Sequence, residues 1–161
     1  MKAKLVLASC LVVLGIAVYA GAVMATPPSG VTPTTFGVGK LTPFKTSGSI
    51  GAWASKMSIT GASDLHVLSN RIAPGGSFGW HSHPGPSFVL IKSGTASVYL
   101  GADPKCRLHR VRTASGFVDK GRAVHIVRNE GTVDLVTVVV SFTPRGAARV
   151  IDEADPGTCP F

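Results

Sequence analysis

Good helix-forming residues are scarce in this chain, and no segment beyond the first 25 residues shows an apolar period of 3.6. This argues against a helical domain. The sequence also lacks a phosphate-binding loop, a pair of carboxylates and a Ser/His/Asp order, so nothing in it supports a phosphate-binding enzyme or a hydrolase. Its 16 basic residues form no dense run, and we therefore expect no nucleic-acid partner.

Glycine (19 residues) and proline (11) are plentiful beside Val, Thr and Ser, a balance that favours short strands joined by tight turns. From residue 64 onward, β-rich runs recur about every ten residues, which predicts a single sandwich or barrel domain. One run, Val67–Ile72, is predicted to end at the turn sequence of residues 74–76. Two others, Phe88–Lys92 and Thr95–Leu100, predict a hairpin around Gly94.

The first 25 residues have the form of a secretory signal peptide. Two lysines precede an apolar run over residues 5–22, and Val23 and Ala25 stand at the −3 and −1 positions of a cleavage site before Thr26. We therefore expect a secreted or periplasmic protein without a membrane span after cleavage. An uncleaved N-terminal membrane anchor is the alternative, since residues 5–25 are about as long as a spanning helix.

The composition divides the rest of the chain into three parts. Residues 26–60 are predicted to form an N-terminal arm with edge strands, and its start, residues 26–35, has the composition of an exposed linker. Residues 61–145 are predicted to form the barrel. Residues 146–161 form a C-terminal tail.

The predicted mature chain keeps two cysteines, Cys106 and Cys159. An even count in an oxidising compartment predicts a disulfide, which would tie the tail to the turn at residues 103–105. Two unpaired buried thiols are the alternative. Neither cysteine stands in a C-x-x-C sequence, so a thiol redox site is not expected.

Three histidines are the candidate metal ligands. His81 and His83 are two residues apart, so on a strand both imidazoles face the same side and can share one cation. His125 opens a later predicted strand, and in a small closed barrel distant strands face each other across the interior. Together they would offer three nitrogens and leave other metal positions open, as working sites do. Solvated histidines at 81 and 83, and a core histidine at 125, are the alternatives.

The spacing around these histidines resembles the two motifs of the cupin family. Residues 75–94 resemble the first motif, in which a glycine, an H-x-H pair, a glutamate and a final glycine follow in order. Residues 116–129 resemble the second, which ends in a histidine and an asparagine. The resemblance covers about residues 67–144 and implies an all-β, single-domain jelly-roll barrel. It also implies one metal ion held by the three histidines, and an N-terminal arm that can pair with a second subunit in a homodimer.

The chain departs from the family pattern at Ser87, which stands where the glutamate ligand is usual, and at Lys120, where proline is usual. Without the carboxylate, three neutral imidazoles do not neutralise any of the positive charge of the ion. A site with this charge predicts a small anionic ligand. The same loss disfavours hard cations and leaves Zn, Fe, Mn, Ni or Cu. The Ser87 hydroxyl could hydrogen-bond a metal-bound water or simply pack.

Several other residues are weaker candidates. Phe78 and Trp80 precede the H-x-H pair and would line the pocket mouth or belong to the core. Asp119 and Asn129 could orient a ligand imidazole, although Asn129 has the setting of a turn residue, and His109 has the setting of a surface histidine.

Three functions remain open from the sequence. The first is a metal-dependent enzyme, of oxygenase or isomerase type, acting on a small anionic substrate. The second is a non-catalytic module that binds metal or a small ligand. The third is a metal-free structural or sugar-binding barrel.

Overall fold

A computed structural model describes residues 25–161. Every regular element in this range is a strand, so the all-β prediction is confirmed for the described residues. Over the same range no helix is long and apolar enough to cross a membrane. The predicted signal peptide lies, but for Ala25, outside the described residues.

The strands, in chain order, are β1 (Ser29–Leu41), β2 (Phe44–Ile50), β3 (Trp53–Ile59), β4 (Ser63–Ser77), β5 (His81–Ser82), β6 (Ser87–Ser93), β7 (Thr95–Leu100), β8 (His109–Arg112), β9 (Gly116–Asp119), β10 (His125–Arg128), β11 (Leu135–Pro144) and β12 (Ile151–Asp152).

Ten of these strands form one antiparallel sheet. Its order is β12-β5-β10-β4-β11-β6-β9, with β1 paired to β4, and with β7 paired to both β10 and β8. The sheet is nearly closed into a barrel, an arrangement consistent with the jelly roll that the resemblance implies. Strands β2 and β3 form a separate two-stranded sheet. The homodimer predicted from the N-terminal arm stays a prediction, because the structure describes a single chain.

Strand β4 corrects the prediction of a turn at residues 74–76, because the strand continues to Ser77. Gly75 has a φ of 77°, a left-handed conformation that glycine adopts without steric cost, and it bends the strand instead of ending it. As a result β4 pairs with β11 up to Ile72, while Ser77 pairs with Arg128 of β10. One bent strand thus connects the long β11 with the strand that carries His125.

The predicted hairpin around Gly94 is also wrong. Strand β6 pairs with β9 and β11, whereas β7 pairs with β8 and β10. Gly94, at a φ of 79°, packs so closely on the backbone of Asp134 that a Cβ there would lie 2.7 Å from the carbonyl oxygen. Glycine at this position therefore lets the chain turn sharply from one part of the sheet to another.

Part of the N-terminal stretch with linker composition is strand. Residues 29–35 lie in β1 and pair with the second half of β4, for example Thr32 with Arg71. Backbone hydrogen bonds between strands do not depend on the side chains, so a polar, proline-containing segment can still occupy a sheet edge. Composition alone therefore missed this strand.

The core consists of two clusters of buried side chains. Alternate residues of β11 are buried, as a strand with one face on the core requires. Each fully buried aliphatic side chain contributes about 1.5–3 kcal/mol to folding. The first cluster contains Ile72, Ile91, Ala96, Val98, Val127 and Leu135, and the second contains Trp80, Tyr99, Ile126 and Cys159.

The cysteine pair is joined in the structure. A disulfide links Cys106, beside the turn at residues 103–105, to Cys159 in the tail, across a sequence separation of 53. The expectation of a disulfide is therefore supported. The bond fixes the end of the tail against the second core cluster.

Candidate metal centre

The three candidate ligands lie on neighbouring strands. His81, in β5, is the direct antiparallel partner of His125 in β10, and His83 follows β5 by one residue. The ring centroids are 4.3 Å apart for His81 and His125, 5.0 Å for His81 and His83, and 5.4 Å for His83 and His125. Exposed fractions are only 4–6 % for the three residues. The alternative of two solvated histidines therefore does not describe His81 and His83.

Each imidazole is held by a backbone carbonyl at its Nδ1 atom. His81 Nδ1 donates to the Gly79 carbonyl at 2.9 Å, and His125 Nδ1 donates to the Ala123 carbonyl at 2.8 Å. His83 Nδ1 donates to the Arg149 carbonyl at 2.7 Å. A carbonyl only accepts hydrogen bonds, so each neutral ring carries its proton on Nδ1 and has a free lone pair on Nε2. This is how proteins orient histidine ligands and fix their tautomer.

Burial keeps two of these rings neutral. It is the largest cause that lowers the pKa of His81 to about 3, and the nearby His125 lowers it further. Burial also lowers the pKa of His83, and this outweighs the Arg149 carbonyl and Asp119, which raise it. One nitrogen from each of the three rings lies within 4.8 Å of the other two. The donor set therefore fits a transition-metal ion, which binds neutral imidazole.

The three histidines line a cavity of about 40 Å³. Because a water molecule needs about 10–15 Å³ of such volume, this space holds an ion with about two small ligand atoms. The buried Oδ1 atom of Asn70, which also lines the cavity, has no hydrogen-bond partner among residues 25–161. The remaining lining residues are Phe78, Ser87, Val89, Phe117, Asp119, Val127, Thr137, Val139, Arg149 and Val150.

The structure separates the two aromatic candidates. Phe78 lines the cavity, and its ring centroid is 5.7 Å from that of His81. Trp80 does not line the cavity but packs in the second core cluster, with 1 % of its surface exposed. Since Trp80 directly precedes His81, the two side chains point to opposite sides of the chain. Of the two roles considered for Trp80, the structure therefore favours the core.

Ser87 lines the cavity, but its hydroxyl is already engaged. It forms a hydrogen bond of 2.8 Å with the Ser141 hydroxyl, and both residues are almost fully buried. Asn129 is a turn residue, because its side chain bonds the backbone of Ile72, Val133 and Gly131. His109 is exposed, as its place on a basic strand predicts.

Sequence reasoning assigned no role to Arg149, which lies in the predicted tail. Strand β12 pairs with β5, Ile151 with Ser82 and Asp152 with His81, and this pairing carries Arg149 to the cavity. Burial lowers the pKa of the Arg149 guanidinium. No motif marks this position, because only the docking of the tail on the H-x-H strand brings it to the site.

A nearly closed antiparallel sheet that carries three buried, oriented imidazoles defines a β-barrel protein with a candidate mononuclear metal centre. The model of the cupin domain family matches residues 70–141, a stretch that contains all three histidines. This stretch of the barrel is therefore similar to a cupin domain. No curated protein matches the sequence.

Several solved structures are similar to part of this chain at low identity. A conserved protein of unknown function from Streptococcus pyogenes is 22 % identical, over 51 % of this chain and 67 % of that one, with a TM-score of 0.43. A cupin-like protein from Thermotoga maritima is 17 % identical, over 60 % and 79 % of the two chains, with a TM-score of 0.47. The cupin domain of an XRE family transcriptional regulator from Enterobacter cloacae is 19 % identical, over 50 % and 83 %, with a TM-score of 0.42. We draw no function from these similarities.

Proposed function

We propose that this chain is an exported cupin that binds one divalent transition-metal ion, Zn, Fe, Mn, Ni or Cu, through the Nε2 atoms of His81, His83 and His125. The observation that carries the proposal is the set of three Nδ1–carbonyl hydrogen bonds, which leaves all three Nε2 lone pairs available in one buried cavity. A bound ion would supply Lewis acidity or an oxygen-activating centre to a small molecule. The metal-free barrel is disfavoured because three histidines that are only 4–6 % exposed are oriented toward one cavity.

The ligand that we propose is a small anion. Arg149 lines the cavity, and the positive charge of its guanidinium lowers the pKa of both His81 and His83. Among the described residues, 25–161, no hydrogen bond or ion pair neutralises this side chain. An anion bound beside the ion would interact with a metal charge and a guanidinium at once, in a half-buried site where screening is weak.

Two uses of the site follow from this proposal. The first is a metal-dependent enzyme of oxygenase or isomerase type on a small anionic substrate. The second is a non-catalytic module that holds a metal ion or a small ligand, for which a cavity of about 40 Å³ is sufficient. Turnover of any candidate substrate would decide for the first use.

We also propose that the mature chain is secreted or periplasmic. Thr26, the first residue after the predicted cleavage site, docks on the barrel, since its hydroxyl accepts a hydrogen bond from Trp80 N. The disulfide supports an oxidising compartment. The mass of the chain recovered from the host would test this, with a start at Thr26 as the expected result.

Metal occupancy is expected to be one ion per mature chain at neutral pH and to fall on acidification. Ligand nitrogens must be unprotonated, and burial lowers the pKa of His81 from 6.5 to about 3. A buried neutral histidine loses its contribution to folding as the pH falls between these two values. We therefore expect release of the metal between about pH 6.5 and pH 3. Elemental analysis of protein made without a histidine tag, dialysed across this range, measures the occupancy.

Complete release already at pH 6.5 would contradict buried, neutral ligands. Exposed His109 supplies the matched control, because its alanine variant should show the same release curve as the unmodified chain.

Replacing Arg149 by glutamine is expected to weaken binding of a small carboxylate to the metal-loaded protein about tenfold, the size of one charge-assisted hydrogen bond. The metal affinity should stay unchanged, because His83 bonds the backbone carbonyl of residue 149 and not its side chain. Calorimetric titration with formate or acetate measures the effect. Arg110→Gln, an exposed change on β8, is the control. Equal carboxylate affinity in the three proteins would remove Arg149 from the ligand site.

A further inference from the structure

Strand β9, which lies beside Ser87, carries the carboxylate of Asp119. In the β6–β9 pair, Ser87 is the direct antiparallel partner of Asp119. The resemblance to the cupin motif places a glutamate ligand at position 87, where this chain has a hydroxyl bonded to Ser141. An acidic side chain thus stands one strand away from the expected position and lines the same cavity.

The Asp119 carboxylate is held in place at one oxygen and left without a partner at the other. Its Oδ1 atom accepts a hydrogen bond of 2.9 Å from Gly121 N. Its Oδ2 atom is buried and has no hydrogen-bond partner among residues 25–161. The side chain is only 6 % exposed. Burying a carboxylate oxygen without a partner lowers the stability of the fold, so a bound ligand at this atom would offset that cost.

The unpaired oxygen faces the histidine site. Asp119 Oδ2 lies 3.4 Å from His83 Nε2 and 3.9 Å from His125 Nε2. Ligand atoms that sit about 2.0–2.2 Å from one ion, in tetrahedral or octahedral positions, are roughly 3.0–3.5 Å apart. The 3.4 Å spacing between the carboxylate and His83 falls in this range. The 3.9 Å spacing to His125 is longer, so a shift of a few tenths of an ångström would bring both to a common ion.

We propose that Asp119 Oδ2 is the fourth protein ligand of the metal ion, in place of the missing glutamate. This inference rests on the proposed function, because it concerns the same ion. The ion with its four protein ligands then has a net charge of +1 instead of the +2 expected for three imidazoles alone. A carboxylate oxygen also makes the site suitable for harder ions such as Mn²⁺ or Fe²⁺.

An ion pair between Asp119 and a protonated His83 is the competing arrangement. It would require both ring nitrogens of His83 to carry protons, because Nδ1 already donates to the Arg149 carbonyl. The 3.4 Å separation is longer than the roughly 2.7–2.9 Å of a charged N–H···O hydrogen bond. The geometry therefore fits two ligands of one ion better than an ion pair.

Titration of the mature, tag-free protein with Co²⁺ alone tests the inference. Asp119→Asn keeps the size of the side chain and its bond to Gly121 N, but weakens the metal-binding oxygen. We expect its Co²⁺ affinity to be about 100-fold lower and its Co²⁺ absorption bands to shift, with the stoichiometry still near one. The matched control is Asp155→Asn, since Asp155 is exposed and makes the same type of bond, to Gly157 N at 2.8 Å. It should behave as the unmodified chain does.

An Asp119→Asn variant with unchanged affinity and an unchanged Co²⁺ spectrum would overturn the inference and leave the three-histidine site standing. If the unmodified chain binds no Co²⁺, the proposed function fails as well. The double variant Ser87→Glu, Asp119→Asn distinguishes the loss of a ligand from a folding defect. It places a carboxylate on β6, opposite position 119, and its Co²⁺ affinity is expected to be at least tenfold higher than that of Asp119→Asn alone. No recovery in a double variant with an intact melting transition would count against a ligand role.

Discussion

Replacing His83 by alanine is expected to lower the affinity of the mature chain for Zn²⁺ by roughly 100- to 1000-fold. Four ligands share roughly 10–16 kcal/mol of zinc binding free energy, so one imidazole accounts for about 2.5–4 kcal/mol. His83 has a further part in the site, because its ring lies between the Arg149 carbonyl and the Asp119 carboxylate. Competition with a chromophoric chelator measures the dissociation constant.

The exposed His109 again provides the control for this prediction. It lies on β8, away from the cavity, and its alanine variant should bind Zn²⁺ as tightly as the unmodified chain. Equal losses in the His83 and His109 variants would mean that zinc binds to surface histidines. Retained affinity in the His83 variant would show that the buried imidazoles are core residues with no ligand role.

Removing the disulfide is expected to destabilise the domain by about 4 kcal/mol. In the chain-entropy model this is the cost of freeing a closed loop with a sequence separation of 53. For a domain of this size the melting temperature should fall by roughly 10–20 °C. The double variant Cys106→Ser, Cys159→Ser, followed by circular dichroism during heating, measures the change.

The disulfide should also influence the metal centre, because the tail that it anchors supports the H-x-H strand. Strand β12 pairs with β5, Ser82 Oγ donates to Glu153 at 2.6 Å, and the Arg149 carbonyl holds His83. A looser tail should therefore weaken Zn²⁺ binding as well as stability. Unchanged melting temperature and unchanged zinc affinity in the double serine variant would show that the tail stays docked without the bond.

The histidine triad could be predicted from the sequence because its signals are local. The two-residue spacing of His81 and His83 fixes a common face on any strand, and His125 opens a β-branched run. Buried runs such as β11 were also recognisable from their composition. The register that makes His81 the partner of His125 needed the structure, because a pairing between distant strands leaves no local pattern.

Asp119 and Arg149 show what the sequence could not provide. The sequence named Asp119 only as a candidate for orienting an imidazole, because its position opposite Ser87 depends on how β9 pairs with β6. Arg149 reaches the cavity only because β12 docks on β5. The wrong prediction of a hairpin at Gly94 has the same origin. Two adjacent β-rich segments joined by a turn can pair with each other, but they can equally pair with different strands, as β6 and β7 do.

Anomalous diffraction from crystals of the mature chain grown with Zn²⁺, recorded at the zinc absorption edge, tests the central claim most directly. We expect one strong peak in the barrel cavity, about 2.0–2.1 Å from the Nε2 atoms of His81, His83 and His125. A fully ordered cavity without a peak, or a peak bound to Nδ1 atoms or to surface histidines, would contradict it.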